Sequence, residues 1–408
     1  MKITTTLLMT GTALAFGAAG AHADDLAALK AEIASLQTRV SDLEAQPQAA
    51  LPSGYSLLSI RDGQADFLPF RPMGQDDKVR EESGFTLSVV PTADAAPTAE
   101  VSVSGEIRTS LMYTDFEDGD NADIAIRARL MVKGKVDTAV GEVGGYLRFQ
   151  ANGGGDFSDY SENVKMNWAY GWWKFAPNWE LLAGYQDMTA TLLQSWDYYG
   201  ASAPTRTFGP SYIANEQMRL TYADDTLSFA VALEDPDRDE AEASDIPSVQ
   251  AYAMYTSDPF TGQIVGLWQS DDLGDHDDWA LGAGAKLGIA EGFDFIASAV
   301  VGEGTSIYAA NLAPLTEDEE FWAGSLGVLA NIAENTRIEL GAGYEDYDVA
   351  GTALGFGGGV FWDPVSQLTL GAGATYVDFD DAFIDDDGVT AIEDDSLEIF
   401  FTTWLRFM

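Results

Sequence analysis

Between Glu100 and Met408 there are fourteen lysines and arginines, and eight of them fall in one stretch: Arg108, Arg127, Arg129, Lys133, Lys135, Arg148, Lys165 and Lys174. The chain as a whole carries a formal charge of −45, from 66 Asp and Glu against 21 Lys and Arg. A local concentration of fixed cations in so acidic a chain suits electrostatic action on passing ions and dipoles rather than bond making. Covalent chemistry is poorly provided for. Beyond His22 there is only His276, in the acidic run DDLGDHDDW, with no nucleophile at a recognisable spacing. With no cysteine, thiol catalysis, zinc–thiolate sites and disulfide staples are excluded. Asp385-Asp386-Asp387-Gly388 and Asp115-x-Glu117-x-Gly119 are acidic, but neither fits a calcium loop with its later Glu. No enzyme, cofactor or metal site is expected. A surface so negative also repels nucleic acid.

The elements that must hold these charges follow from periodicity. Residues 1–23 read as a secretory signal, with Lys2, an apolar stretch from Leu7 to Ala18, and Ala21-His22-Ala23 as the cleavage pattern. In residues 24–46, Leu26, Leu29, Ile33, Leu36, Val40 and Leu43 recur at 3-4-3-4-3 spacing, the seam of a short α-helical coiled coil that ends before Pro47. A helix this short is marginal alone, so association of copies, three by the Arg39–Glu44 pattern, is expected. Residues 47–99 read as a linker without assigned structure, interrupted by apolar runs at Tyr55–Ile60 and Phe85–Val90.

From Glu100 onward the period becomes two. Ile124, Ile126, Ala128, Leu130 and Val132 fall on one face; Arg127, Arg129, Met131, Lys133 and Lys135 fall on the other. Sixteen such segments can be marked to the end of the chain, and their connections alternate long and short. Asp115–Ala122, Gly153–Glu162, Met188–Ala214, Asp235–Pro247, Gly302–Asp318 and Asp378–Asp394 are long; Asp137–Val140, Ala176–Asn178 and Asp224-Asp225 are among the tight ones. A soluble sandwich has no reason to alternate so, whereas a transmembrane barrel does. The expected fold is all-β, a 16-stranded antiparallel transmembrane β-barrel over residues 100–408. Trp168, Tyr170, Trp172, Trp173 and Trp179 near Pro177, with Trp362, Trp404 and Phe407, suggest an interfacial aromatic girdle.

The segments SVSGEIRTSLMY, IRARLMVKGKVDTAVGEVGGYLRFQANG, WELLAGYQDM and the closing SLEIFFTTWLRFM together resemble the alphaproteobacterial outer-membrane porins, a family of trimeric sixteen-stranded general diffusion channels. A coiled coil ahead of the barrel is similar to porins with periplasmic trimeric stalks. One departure is that Met408 follows Phe407, whereas such barrels end in an aromatic residue. The resemblance implies a water-filled channel for small polar solutes, in the outer membrane of a Gram-negative bacterium with the N-terminal region in the periplasm. The partners implied are two further copies in a homotrimer, outer-membrane lipids and lipopolysaccharide, small hydrophilic solutes, and peptidoglycan through the coiled coil.

In porins of this kind the loop after the fifth strand folds into the lumen. Here that is the longest insert, 188–214, where Trp196, Tyr198, Tyr199 and Phe208 could anchor it and Asp197 and Arg206 could face solute. Strand parity puts Arg108, Arg127, Arg129 and Arg148 on the lumen face, opposite Asp187, Asp197 and Glu216, for a transverse field across the constriction. The alternative is a structural barrel, filled by its own side chains, that tethers the membrane to the cell wall through the coiled coil. Small residues such as Gly282, Gly284, Gly341, Gly343, Gly371 and Gly373 argue for an open interior instead.

Overall fold

The computed structural model describes residues 56–63, 84–91, 97–116, 119–153, 164–193, 214–235, 246–270, 277–303, 320–348, 351–380, 383–384, 391–392 and 395–407. The chain divides into two units, Met1–Ser56 and Leu57–Met408. The signal segment and the heptad positions Leu26, Leu29, Ile33, Leu36, Val40 and Leu43 lie outside the described residues.

Every strand marked from the sequence forms, with ends shifted by no more than four residues. In chain order they are β3 (Ala99–Phe116), β4 (Gly119–Thr138), β5 (Gly141–Gly153), β6 (Lys165–Ala176), β7 (Trp179–Asp187), β8 (Ala214–Ala223), β9 (Leu227–Glu234) and β10 (Ser248–Ser257). There follow β11 (Phe260–Gln269), β12 (Asp278–Ala290), β13 (Phe293–Glu303), β14 (Glu320–Ala333), β15 (Thr336–Tyr347), β16 (Gly351–Val365), β17 (Leu368–Asp380) and β20 (Ser396–Phe407). Each pairs antiparallel with its sequence neighbour, and β20 pairs with both β17 and β3, so these sixteen close into a barrel.

β9 shows why the chain does this. Leu227, Phe229, Val231 and Leu233 are exposed on the outer face; Ser228, Ala230, Ala232 and Glu234 are buried on the inner one. A slip of one residue would exchange the two sets and put Glu234 outside, so the alternation fixes the register. The same outer face carries Ile124, Ile126, Leu130, Leu281, Leu340 and Phe401. An apolar surface that runs round a closed barrel matches hydrocarbon, not water.

The barrel has two unlike ends. At the turn end, β4 to β5, β6 to β7, β8 to β9, β10 to β11, β12 to β13, β14 to β15 and β16 to β17 are joined by two or three residues each. Asn178 supplies the left-handed φ of 67° in the β6–β7 turn, a conformation that Asn tolerates. The β8–β9 turn is closed by Asp224, whose carboxylate accepts the Leu227 and Thr226 N–H groups at 2.8 Å and the Tyr222 hydroxyl at 2.9 Å. Those donors hold Asp224 below the usual carboxylate range. At the opposite, loop end, most connections are long.

Four findings revise the sequence reading. The connection expected at 115–122 is shorter, because β3 and β4 continue as a ladder to Phe116 and Gly119. Beyond the membrane both faces meet water, so backbone pairing can proceed through polar residues. Likewise β17 extends to Asp380, and a small ladder of β18 (Phe383–Ile384) with β19 (Ala391–Ile392) lies in the last connection. The third concerns the girdle. Trp168, Trp172 and Trp404 are buried on the inner face, and the outer ring at the turn end is made by Trp173, Phe175, Trp179, Tyr222, Phe229, Trp362 and Phe407. Neighbours in sequence such as Trp172 and Trp173 necessarily point to opposite faces. At the loop end the outer tryptophans Trp268, Trp279 and Trp322 donate their indole N–H to Asp277, Glu303 and Asp346 at 3.0–3.1 Å.

Fourth, the two apolar runs of the linker are strands, β1 (Leu57–Asp62) and β2 (Phe85–Val90), paired antiparallel. β3 extends past the end of β20 at the turn end, and β2 pairs with the overhang from Phe85↔Val103 to Val89↔Ala99. The Thr86 and Ser102 hydroxyls lie 2.7 Å apart, Ser88 donates to Glu100 at 3.0 Å, and Arg61 and Lys135 lie 3.5 and 3.2 Å from the same carboxylate.

Replacing Val231, near the middle of β9 on the outer face, by Arg should destabilise the folded barrel by about 2–4 kcal/mol, whereas Val231→Leu should be nearly neutral. Chemical denaturation of protein refolded into liposomes would measure it; equal stability of the two variants would mean that this face does not meet hydrocarbon.

Candidate functional site

The inner wall of β3, β4 and β5 collects the arginines that the sequence singles out. Arg108 stands opposite Arg127 in the ladder and Glu106 opposite Arg129, while Arg129 neighbours Gln150 and Met131 neighbours Arg148 across β4 and β5. Like charges set side by side need a compensating carboxylate, and Glu106 provides it. Its Oε1 lies 3.5 Å from Arg108 Nη2 and 3.4 Å from Arg129 Nη1. Gln150 Oε1 accepts from Arg129 Nε at 2.6 Å. The sequence reading passed over Glu106, although it sits two residues before Arg108 and so shares its face.

The cluster continues across the closing seam. The Trp404 indole donates to Glu106 Oε2 at 3.1 Å, and the guanidinium carbons of Arg108 and Arg406 lie 3.8 and 3.9 Å from the Trp404 ring centre. Arg406 donates to Thr369 Oγ1 at 2.8 Å; Thr369 in turn bonds Asp363, which Arg337 reaches at 3.2 Å and which Thr369 approaches closely. Arg337 also pairs with Glu339 at 2.7 Å. A belt of charge and hydrogen bonds thus runs along the inner wall from β15 to β5.

A second feature starts at the end of β7. Met188 to Leu193 run over the inner faces of the following strands, held by side chains from each in turn. Glu234 of β9 accepts the Thr189 N–H at 2.7 Å, Gln250 of β10 accepts that of Ala190 at 3.1 Å, and Gln263 of β11 accepts that of Leu193 at 2.8 Å and donates to Thr191 O at 2.9 Å. On β12 the glycines leave room for it: a Cβ at Gly282 would come within 2.7 Å of Leu192 Cδ1, and one at Gly284 within 3.1 Å of Leu193 Cβ. Met188, Ala190 and Leu192 join a buried apolar cluster with Tyr252, Met254, Val265, Leu267, Val300, Phe321 and Tyr347 of the inner wall.

That packing corrects the reading of Gly282, Gly284, Gly371 and Gly373 as open space. Gly282 and Gly284 lie under Leu192 and Leu193, while a Cβ at Gly371 would meet the Phe361 ring at 2.5 Å and one at Gly373 the Phe400 ring at 2.4 Å. Among the other residues singled out, Asp187 accepts the Trp168 indole N–H at 3.0 Å at the end of β7. Glu216 is misassigned. It lies exposed on the outer face of β8, because Asn215, Gln217 and Arg219 take the inward positions. Asp197, Arg206, Trp196, Tyr198, Tyr199, Phe208 and His276 lie outside the described residues.

No family model matches the chain, and no curated protein matches it significantly. Solved structures do. The fold is similar to the outer membrane channel DcaP of Acinetobacter baumannii, with a TM-score of 0.59 and 18% identity over 76% of this chain and 97% of that one. It is similar to an anion-selective porin from Comamonas acidovorans, with a TM-score of 0.61 and 13% identity over 76% and 100%. A triple mutant of the Rhodopseudomonas blastica porin gives a TM-score of 0.52 and 16% identity over 75% and 100%. At these identities the likeness is one of fold.

Gly282→Val should push Leu192 off the wall and loosen the segment from Met188 to Leu193, because the added side chain claims the space that Leu192 fills. Limited proteolysis of the folded protein should then cut this segment faster than in the parent; unchanged cleavage would show that the seat on β12 does not hold it.

Proposed function

We propose that this chain is an outer-membrane porin, a water-filled channel for passive diffusion of small polar solutes and ions. The observation that carries the reading is the inward course of Met188–Leu193 inside a closed sixteen-stranded barrel whose opposite inner wall is lined by Arg108, Arg127, Arg129 and Arg148. Barrels of about this strand number enclose an aqueous lumen rather than a packed core. A strand of chain laid along one side of that lumen narrows it. The arginines and Glu106 then border the remaining passage, where fixed charge raises the local concentration of counter-ions and orients dipoles. Residues 188–214 form the constriction in this reading, with Asp187, Asp197 and Arg206 at its edge. The filled-barrel alternative has support in the apolar cluster on the inner faces of β9 to β17, but the charged wall of β3 to β5 gives water a reason to stay.

The barrel sits in the outer membrane of a Gram-negative bacterium among lipids and lipopolysaccharide, with its turn end and the N-terminal region in the periplasm. Three copies associate, and the heptad Leu26, Leu29, Ile33, Leu36, Val40 and Leu43 joins them, with peptidoglycan as a partner of the coiled coil.

Two outcomes test this. Deleting residues 194–213 should raise single-channel conductance and admit larger sugars, since the narrowest segment dominates a series resistance. If the shortened protein assembles with conductance and size limit unchanged, the insert is not the constriction. Protein extracted without boiling should migrate on a dodecyl sulfate gel as a trimer and, after deletion of Asp24–Gln46, mostly as a monomer; a monomer from both would remove the proposed association.

A further inference from the structure

The β1–β2 hairpin carries its apolar residues on the outside. Register sets Leu58 opposite Val89 and Ile60 opposite Leu87, and β2 in turn sets Phe85, Leu87 and Val89 beside Val103, Val101 and Ala99 of β3, so all of these share the outer face. Leu58 and Ile60 are 67% and 69% exposed, and Val89 and Val101 are exposed beside them. The inner face is the polar one, with Thr86 and Ser88 buried against Ser102 and Glu100. On the barrel an apolar outer face meets hydrocarbon, but the hairpin stands elsewhere. Phe407, of the outer aromatic ring at the turn end, is paired with Gly105, and β2 covers β3 only from Val103 to Ala99, on the turn side of that ring. An apolar patch beyond the interfacial aromatics faces water unless another protein surface covers it.

We propose that this face of the hairpin is where copies of the chain meet at the turn end, with Leu58 and Ile60 of each copy packing against those of its neighbours about a common axis. The proposal rests on the homotrimer reading and adds to it a contact outside the heptad. Two observations favour a second copy as the occupant. One is reach. Ten residues, 47–56, separate the heptad segment from Leu57, and ten residues span at most about 36 Å. Copies joined at the heptad therefore hold their hairpins within that distance of the same axis. The other is charge. Copies of a chain with a formal charge of −45 repel one another, so they meet most readily where acids are few. β1 and β2 carry one acid between them, Asp62, next to Arg61. Around a closed rotation axis every copy offers the same residues, so one apolar patch per chain is enough to cover the patches of all.

The chain has no cysteine, so a single introduced thiol reports on one position. Ile60→Cys in the full-length protein, purified in mild detergent, should be joined into covalent dimers by a short bismaleimide, because each copy brings one thiol to the axis. Leu58→Cys should behave alike, and it serves in place of Ile60→Cys should that variant fail to assemble. Leu227→Cys, at the turn end of β9 and also exposed on the outer face, should run as a monomer on the denaturing gel after the same treatment. A nitroxide on the Ile60→Cys thiol should be shielded from both oxygen and a water-soluble nickel complex. Access of oxygen without nickel would put lipid on this face, and access of both would leave it in water; either result overturns the proposal. So does a shielded thiol that never cross-links at position 58 or 60, which would give the face to a different protein or to another part of the same copy. Light scattering of the parent protein separates the two levels. A monomeric parent sinks the trimer reading and this inference with it, whereas a trimeric parent whose hairpin thiols do not join sinks the inference alone.

Discussion

The hydrogen-bonded seam between β20 and β3, from Ser396↔Phe116 to Phe407↔Gly105, is the contact on which the rest of the molecule depends. A sheet in hydrocarbon cannot leave an edge, because each unpaired N–H and C=O there costs several kcal/mol. Closure removes the edges and in the same step fixes strand parity round the ring. Parity sends Arg108, Arg127 and Arg129 inward and Ile107, Ile126 and Ala128 outward. The seam is also reinforced from within. Trp404 of β20 faces Arg108 of β3, and Glu106 accepts the indole N–H, so the ladder that closes the barrel also closes the belt of charge on its inner wall.

That inner wall is divided in character. On β3 to β5 and on β20 it carries arginines that rest on rings or on Glu106. From β9 to β17 it carries alanines, valines and aromatics in a buried cluster joined by Met188, Ala190 and Leu192. Dispersion and burial hold the second half, and hydrogen bonds and ion pairs hold the first. The inner wall is thus polar and charged on one side and apolar on the other.

Much of this was legible in the chain. β9 alternates at every residue, and parity alone placed Arg108, Arg127, Arg129 and Arg148. Period-two segments number sixteen in the chain, and their alternating connection lengths point to a transmembrane barrel rather than a sandwich. What the sequence hid has physical causes. Glu216 looked like a member of the site because it is charged and near the insert, yet a residue's face depends on register with its neighbours, which one strand does not reveal. Trp168 and Trp404 looked interfacial because tryptophan commonly is, whereas the arginines inside gave them partners. Glu106 went unnoticed because a lone acid is unremarkable among 66 acidic residues. Gly282 and Gly284 suggested emptiness, but a glycine marks close approach as readily as a void, and here it receives Leu192 and Leu193. β1 and β2 were too short and too far apart in sequence to be recognised as a pair.

The placement of β2 bears on how the barrel settles into its final form. β2 occupies the edge of β3 up to Val103, Gly84 packs against Ser104, and β20 takes the same edge from Gly105 onward. The two strands therefore stand end to end along one rail. If β20 slid two residues toward the turn end, it would preserve every inward and outward side chain, so alternation alone cannot forbid that slip. The hairpin forbids it, since the positions β20 would need are already taken. β1 and β2 act as an end stop for that one register, so a segment outside the ring bears on the stagger with which the cylinder closes.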